Sequence, residues 1–446
     1  MKVLIEKMVF AGIGLAHLDY GEPLRGHDKS KGKAVFVKKV VPGDVVDIRL
    51  INEKKDFTFG VVKKIIKPSL TRIDPPCPHF DKCGGCDHQN ISYDNQLKYK
   101  DEIFKEVLSR AKIDVSPETI IPGSDHPFFY RNSIRFFFLH KQDGSVAFAR
   151  HRYDRPSELV EINSCFLQSE VSNKILKSLK EHINNKIEHK SGLWQIKIRE
   201  GKGTGEFMVE IITSGETLEG KEGIVEVLKD TPDIKSIYHT VTPSKSLINL
   251  RRNLIYGSPI IHEKIGHFTF QISPQSFFQT NSLGVKTLYD VVKSMAEIKI
   301  GERVLDLYCG TGSIGIYLST LAKEVVGVES VPEAVRDAND NSKLNKIPNI
   351  KFIRDDVLNY LFSLKTSNYK LATVIVDPPR AGLTPEIIDK LSTINCKQII
   401  YVSCNPSTFA RDIKLFEKKK YILRKVQPID MFPQTHHIEC VGLLTK

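Results

Sequence analysis

Arg303-Val304-Leu305-Asp306-Leu307-Tyr308-Cys309-Gly310-Thr311-Gly312-Ser313-Ile314-Gly315 is the stretch on which the fold turns. An apolar run of strand length breaks into a turn with glycine at 310, 312 and 315, and a helical pattern follows. Glycine lets the backbone approach a ligand closely, and the next helix begins with unpaired N–H groups. Outward from this point strands and helices alternate: strand 324–330, helix 332–346, then strands 349–355, 371–377 and 397–403. That order predicts a doubly wound, Rossmann-like α/β domain over 275–446, its sheet mostly buried on both faces.

Upstream the pattern changes twice. Residues 1–66 alternate apolar and polar positions, as in 33–51 and 57–66, with turn signals at Pro42-Gly43-Asp44 and at Gly21. Several short strands in so few residues read as a small β-barrel. Its 13 basic against 8 acidic residues leave +5, nearly half of the whole chain's excess. Such a surface suits a nucleic-acid backbone, although lysines defending a sheet edge would look the same. Pro68, Pro75 and Pro76 mark a linker. Residues 77–270 then combine an amphipathic helix at 93–112, with Leu97, Ile103, Phe104 and Leu108 on its apolar stripe, with strand-like runs such as 133–140 and 194–200. This reads as a central α+β domain with a largely antiparallel sheet. Within it, 128–141 interleaves aromatic and basic residues; Tyr130 and Arg131 are candidates for RNA contact, and Phe136 and Phe138 for the sheet interior.

Composition sets the outer limits. The 446 residues exceed what one core serves. Sixty-five Lys and Arg against 53 Asp and Glu give +12, a weak pointer to a polyanionic partner, and 41% hydrophobic residues exclude a disordered chain. No apolar run reaches membrane-helix length, and charges interrupt the first residues where a signal peptide would need an apolar core. A cytoplasmic protein without membrane contact is expected, its eight cysteines serving as thiols, metal ligands or nucleophiles.

Acids surround the glycine turn. Asp306 ends the strand before it, and Glu329 ends the next strand, placed to accept from ribose hydroxyls. A cationic sulfonium suits this better than a pyrophosphate does, so S-adenosylmethionine is favoured over a dinucleotide, with a ligand-free tight turn as the third reading. The fourth strand runs into Asp377-Pro378-Pro379-Arg380-Ala381-Gly382, a rigid wall at the ligand edge of such a sheet. The fifth runs into Ser403-Cys404-Asn405-Pro406. A thiolate there could add to C6 of uracil and make C5 nucleophilic toward a methyl sulfonium, after which a base must remove the C5 proton. Glu439, 35 residues later with His436 and His437 beside it, is the candidate base. The competing reading makes Cys404 a packing thiol and Glu439 a surface charge.

The segments 279–289 (QTNSLGVKTLY), DLYCGTG, DPPRAG, SCNP and FPQTHHIE, in this order and spacing, closely resemble the RNA uracil-5-methyltransferase family. The resemblance spans the chain, since 12–17 and 40–46 look like that family's N-terminal TRAM domain, an OB-like RNA-binding barrel. It implies S-adenosylmethionine-dependent methylation of C5 of a uridine through a Cys–C6 adduct. Cys404 matches the family's nucleophile and Glu439 its general base; Gln279, Tyr308, Glu329 and Asp377 match its cofactor-contacting positions. Tyr308 stands where the family often has Phe, and Asp377 could equally touch the target base. Cytosine-5 enzymes carry a further cysteine after the fourth strand, where this chain has Pro379, so uracil is favoured; a cytosine-5 enzyme and a non-catalytic RNA-binding factor with a degenerate fold are the alternatives.

Cys77, Cys83 and Cys86, with Gly84-Gly85 turning between them, form a metal-ligand knot that Cys165 could close. Spacing does not separate zinc from a [4Fe–4S] cluster. The resemblance does: CGGCDHQ with a remote cysteine is similar to the iron–sulfur-bearing members, and within the family the chain resembles the 23S rRNA 5-methyluridine methyltransferases. The expected partner is therefore RNA, ribosomal or transfer, with the oligomeric state open and a monomer compatible. Cys309, Cys396 and Cys440 read as packing residues.

Overall fold

The structure is a computed structural model of the chain; it describes all residues except 19–31, 232, 247–249, 365–370 and 395. The turn expected at Gly21 lies outside the described residues. The chain divides into two compact units: Met1–Glu106 with Arg150–Val160 and Phe432–His437, and Val107–Ala149 with Glu161–Met431 and Ile438–Lys446. No helix among the described residues is long and apolar enough to cross a membrane.

In the first unit the alternating sequence forms strands β1 (Lys2–Leu4), β2 (Lys7–Val9), β3 (Ile13–Leu18), β4 (Lys33–Val37), β5 (Val45–Ile51) and β6 (Phe57–Lys67). They build one sheet in the order β1-β5-β6-β4-β3-β2. Every second residue points inward, and Val3, Ile5, Ala16, Leu18, Val35, Val37, Val46 and Ile48 share a core. The turn at Pro42-Gly43-Asp44 is present, with Gly43 at φ 90°. Asp44 is fully buried there and fully used: it accepts from Val41 N at 2.7 Å, Ser69 N at 2.9 Å and the Arg72 guanidinium at 2.6 Å.

Helix α1 (Tyr93–Arg110) follows. Ile103, Phe104 and Leu108 are buried as the stripe predicts, but Leu97 is only half-buried. Gln96 and Lys100 occupy the buried line instead. The reason is hydrogen bonding. Gln96 exchanges two bonds with Gln434, at 2.9 and 3.0 Å, and Lys100 donates to the Phe432 carbonyl at 3.1 Å. Two polar residues thus hold the segment 432–437 that the apolar pattern alone does not place.

Along the chain there follow β7 (Ile121–Pro122), β8 (Ser133–His140), β9 (Val146–His151), β10 (Leu159–Glu161), α2 (Glu170–Lys186), β11 (Leu193–Glu200), β12 (Phe207–Thr213), α3 (Lys221–Lys229), β13 (Ile234–Val241) and β14 (Arg251–Gly257). Their sheet runs β10-β9-β8-β11-β12-β13-β14, and β12–β13 pair in parallel. Phe136 and Phe138 are interior, as expected. Tyr130 is not an RNA-facing residue: it is wholly buried, and Phe129, at φ 56° and 41% exposed, is the aromatic that faces solvent. The run 267–273 leaves the large sheet and forms a separate hairpin, β15 (Ile261–Ile265) with β16 (Phe268–Ile272).

The remainder is the alternating part: α4 (Ser282–Ala296), β17 (Arg303–Leu307), α5 (Ser313–Leu318), β18 (Glu324–Glu329), α6 (Pro332–Leu344), β19 (Ile350–Arg354), α7 (Val357–Ser363), β20 (Leu371–Val376), α8 (Pro385–Thr393), β21 (Gln398–Ser403), α9 (Pro406–Lys418), β22 (Ile422–Asp430) and β23 (Glu439–Thr445). The sheet order is β19-β18-β17-β20-β21-β23-β22-β7. Strands β19 to β21 are parallel, and β23 enters antiparallel between β21 and β22. Every residue of β20 and of β21 is buried, the signature of a sheet covered on both faces. The strand order reverses between β17 and β20, so a crevice for a ligand opens at the carboxyl ends of those two strands.

Candidate active site

The glycine turn fills one side of that crevice. Tyr308 leaves β17 in the left-handed region at φ 61°, an uncommon conformation for a non-glycine residue and one that concentrates at functional loops. At Gly312, φ is 77° and a Cβ would stand 2.4 Å from the Phe352 ring, so only glycine fits. Asp306 is fully buried; its Oδ2 accepts from Gly315 N at 3.0 Å, and its Oδ1 has no hydrogen-bond partner. Burial, with Asp377 nearby, pushes its carboxyl up to about 8. Glu329 braces the turn from β18, accepting from Gly310 N at 3.2 Å, Ser330 N at 2.8 Å and Val331 N at 2.9 Å. Burial raises the Tyr308 phenol to about 12, so it is neutral.

On the other side, Asp377 ends β20 and is lifted to about 7 by burial. Cys404 ends β21. Antiparallel pairing of Ser403 with Cys440 carries Cys404, one residue on, into register with Glu439, the first residue of β23. The contact is electrostatic as well. Burial first, then the carboxylates of Glu439 and Asp377, push the Cys404 thiol up to about 11, while Arg380 hydrogen-bonds it and pulls it back. Glu439 is 2% exposed, and burial and Asp377 hold its carboxyl well above the usual range, again against Arg380. It is therefore no surface charge. Arg380 is exposed at the mouth, its loop tied to the next one by Asn405 Nδ2 and Thr408 Oγ1, each 3.2 Å from the Arg380 carbonyl. Two buried acids, Asp306 and Glu439, the half-buried Asp377 and a thiol, with Arg380 acting on Glu439 and Cys404, make a site that favours a cation.

Gln279 is half-buried on the approach to α4. Asn132 fixes that approach, donating to the Gln279 carbonyl at 2.8 Å and to Ser282 Oγ at 2.5 Å. Asn281 caps α4 and donates to the Met431 carbonyl at 2.9 Å. Farther along α4, the Tyr289 hydroxyl meets Ser313 Oγ at 2.5 Å, which ties the helix to the start of α5. The turn has one more anchor: Asn341 on α6 donates to the Thr311 carbonyl at 3.2 Å and accepts from Gln271 N, on the edge of the hairpin, at 2.7 Å. Arg380 sits beside the prolines of the motif 377–382, which mark a rigid turn and not a charge at the site; nothing in one sequence marks Asn132 or Asn341.

The cysteine knot lies in the first unit. Gly85 N donates to Cys83 Sγ at 3.3 Å and Gln89 Nε2 to Cys86 Sγ at 3.1 Å, while Cys77 N donates to Gln89 Oε1 at 3.2 Å. Lys39 lies 3.8 Å over the Phe80 ring and donates to the carbonyls of Cys83 and Cys86 at 3.2 and 2.8 Å. N–H donors aimed at sulfur are what a coordinated thiolate needs. Cys165 belongs to the second unit, where Asn173 holds its backbone through bonds of 2.8 and 3.0 Å. Among the described residues, no group of three or more His, Cys, Asp or Glu side chains is arranged to hold a metal ion. Cys309, Cys396 and Cys440 are buried. His436, in the first unit, is engaged by Asp87 at 2.7 Å.

A doubly wound sheet with a thiol, a buried acid and a glycine turn at its switch point defines a group-transfer enzyme, and the comparisons say of which kind. The description of the tRNA (uracil-5-)-methyltransferase family matches residues 92–446. An uncharacterized RNA methyltransferase of Fusobacterium nucleatum is 38% identical over 461 residues, covering 100% of this chain and 96% of the relative. Another from Thermotoga maritima is 35% identical over 455 residues, covering 100% and 99%. The crystal structure of a Pyrococcus abyssi tRNA (uracil-54, C5)-methyltransferase in complex with S-adenosyl-L-homocysteine matches with a TM-score of 0.77 at 29% identity, covering 100% of both chains. The chain belongs to the tRNA (uracil-5-)-methyltransferase family and is an RNA uracil-5-methyltransferase.

Proposed function

We propose that the protein methylates C5 of one uridine in 23S rRNA, using S-adenosylmethionine and a covalent adduct between Cys404 and C6. The observation that carries this is the convergence of Cys404, Glu439, Asp377 and Arg380 at the carboxyl edge of the sheet. S-adenosylmethionine, when bound, supplies an electrophilic methyl group on a sulfonium cation. Tyr308, Glu329, Gln279 and Asp377 would hold it, and the acidic, partly unsatisfied crevice around Asp306 fits its charge. The target base leaves its stack to reach the crevice. The Cys404 thiolate forms a bond to C6, and the ring electrons move to C5, which takes the methyl group. Glu439 then removes the C5 proton, the C6–S bond breaks, and the electron pair returns to sulfur. Arg380 favours the thiolate at both ends of the cycle.

In this reading residues 1–66 form a TRAM-like RNA-binding barrel, 77–270 a central domain and 275–446 the methyltransferase domain. Cys77, Cys83, Cys86 and Cys165 would hold a [4Fe–4S] cluster in preference to zinc, in a structural or RNA-positioning role outside the transfer chemistry. The bonds from Gly85 and Gln89 to sulfur support thiolate ligands there. A cytoplasmic setting follows from an RNA substrate. A second reading, transfer RNA as substrate, draws on the action of the Pyrococcus abyssi neighbour on tRNA. The test treats unmodified 23S rRNA and tRNA transcripts with wild-type protein and Cys404→Ala, then reads nucleosides by mass spectrometry. Wild type yields 5-methyluridine in the ribosomal transcript and the variant yields none. Product in tRNA alone selects the second reading; 5-methylcytidine overturns uridine as the target, and full activity without the thiol overturns the mechanism.

A further inference from the structure

Glu439 is the first residue of β23, and the end of a strand is where a ladder opens most easily. The chain reaches it through Phe432–His437, which belongs to the first unit, while Ile438–Lys446 belongs to the second. Backbone continuity therefore ties the base to whatever holds residues 432–437.

That segment is a turn held at several points. Gln434 is buried and sits in the left-handed region at φ 68°. Its N–H donates to Gln96 Oε1 at 3.0 Å, and its own Oε1 accepts from Gln96 Nε2 at 2.9 Å. Its carbonyl accepts from Asp87 N at 2.8 Å and from His88 N at 3.1 Å. A residue with a side chain keeps such a φ only where its surroundings over-determine it, and such residues cluster at functional places. Two residues on, His436 donates to Asp87 Oδ2 twice, from its backbone N at 3.1 Å and from Nδ1 at 2.7 Å. The barrel closes in as well: at Gly12, where φ is 65°, a Cβ would stand 2.7 Å from His436 Cβ.

The stretch beneath the turn is itself fixed. Gln89 Nε2 donates to Cys86 Sγ at 3.1 Å, Gln89 Oε1 accepts from Cys77 N at 3.2 Å, and Asn90 Nδ2 donates to the Lys39 carbonyl at 3.1 Å. We infer that Asp87 and Gln96 are positioning residues for the base: they hold the turn 434–436, and the turn sets where the Glu439 carboxylate meets the C5 proton. Their role rests on the reading of Glu439 as general base. The step they serve is elimination. Glu439 takes the proton, the C5–H electron pair restores the C5–C6 double bond, and the C6–S pair returns to the Cys404 sulfur. Addition and methyl transfer use Cys404, at the end of β21, and precede the step at which the turn acts.

Asp87→Ala and Gln96→Leu test this beside Glu439→Gln, with S-adenosylmethionine and unmodified 23S rRNA and tRNA transcripts. Denaturing electrophoresis reads the protein–RNA adduct, and mass spectrometry reads the released 5-methyluridine. Both positioning variants form adduct at the wild-type rate but release 5-methyluridine about ten- to a hundredfold more slowly, the scale of a misplaced catalytic group. Asp87→Asn, which keeps an acceptor for His436, returns release toward the wild-type rate. Should Gln96→Leu fail to fold because the site is buried, Asp87→Ala, at a half-buried residue, decides alone. Adduct and product falling in parallel, as a merely structural role predicts, or release at the wild-type rate, overturns the inference and leaves Glu439 as base. A Glu439→Gln protein that accumulates no adduct overturns the reading of the base itself, and a wild type that modifies neither RNA overturns both.

Discussion

Glu439 shows how a residue's surroundings define its use. On a terminal strand it would be an ordinary acid, but at 2% exposure its charge is disfavoured, as a base that must accept a proton requires. Replacing it by Gln removes the acceptor while keeping the shape. Glu439→Gln should therefore accumulate a protein–RNA adduct that survives denaturing electrophoresis, at the expense of released 5-methyluridine; free unmodified RNA as the sole product would refute the role. The acids also set a pH dependence. Asp306 and Asp377 are raised, to about 8 and about 7, from ordinary values near 3.8, so the folded protein binds these protons more tightly than the unfolded chain. Their contribution to stability is complete in acid and is lost as pH rises through about 7 to 8. Thermal unfolding of the ligand-free protein should show the melting temperature falling across that interval, and Asp306→Asn should flatten the fall. In the same interval S-adenosylmethionine, a cation, should gain affinity more than S-adenosylhomocysteine does, by calorimetric titration.

At the scale of elements, hydrogen bonds from side chains to backbone place the loops. The exposed edge of β16 is closed by α6: Asn341 and Asn345 accept from Gln271 N and Thr269 N at 2.7 and 2.9 Å. Asn341 reaches the glycine turn with its other end. Asn341→Ala leaves both partners unsatisfied in a buried place, a cost of about 1–3 kcal/mol. The expected result is a lower melting temperature together with weaker S-adenosylhomocysteine binding; a variant that loses stability alone would confine Asn341 to the hairpin. Elements made from clear apolar periods, such as 133–140 and the strands β17 to β21, were legible from the sequence almost to the residue. The buried line of α1 was not, because Gln96 and Lys100 look like surface residues until their partners at 432–434 are known.

For the whole molecule, the cysteine knot makes a claim that no single strand or helix can. Protein purified without oxygen should carry about four iron and four acid-labile sulfide per chain, with visible charge-transfer absorbance; Cys86→Ser should lose both while S-adenosylhomocysteine binding persists. Zinc in place of iron by elemental analysis would redirect the assignment. The two compact units cut across sequence order, with 150–160 and 432–437 joining Met1–Glu106, so the continuous boundaries drawn at 66, 77, 270 and 275 do not coincide with them. Local patterns report neighbours in the chain, and compactness reports neighbours in space.

By itself the sequence determined the doubly wound sheet and the glycine turn after β17, and it nominated Cys404 and Glu439 as candidate thiol and base. Those depend on local period, on turn chemistry and on motifs a few residues long. Only the tertiary structure decided that Glu439 stands in register with Cys404, that Arg380 acts on both of them, and that Tyr130 is interior while Phe129 is not. Burial and charge proximity are properties of residues far apart in the chain, and no period along the sequence encodes them.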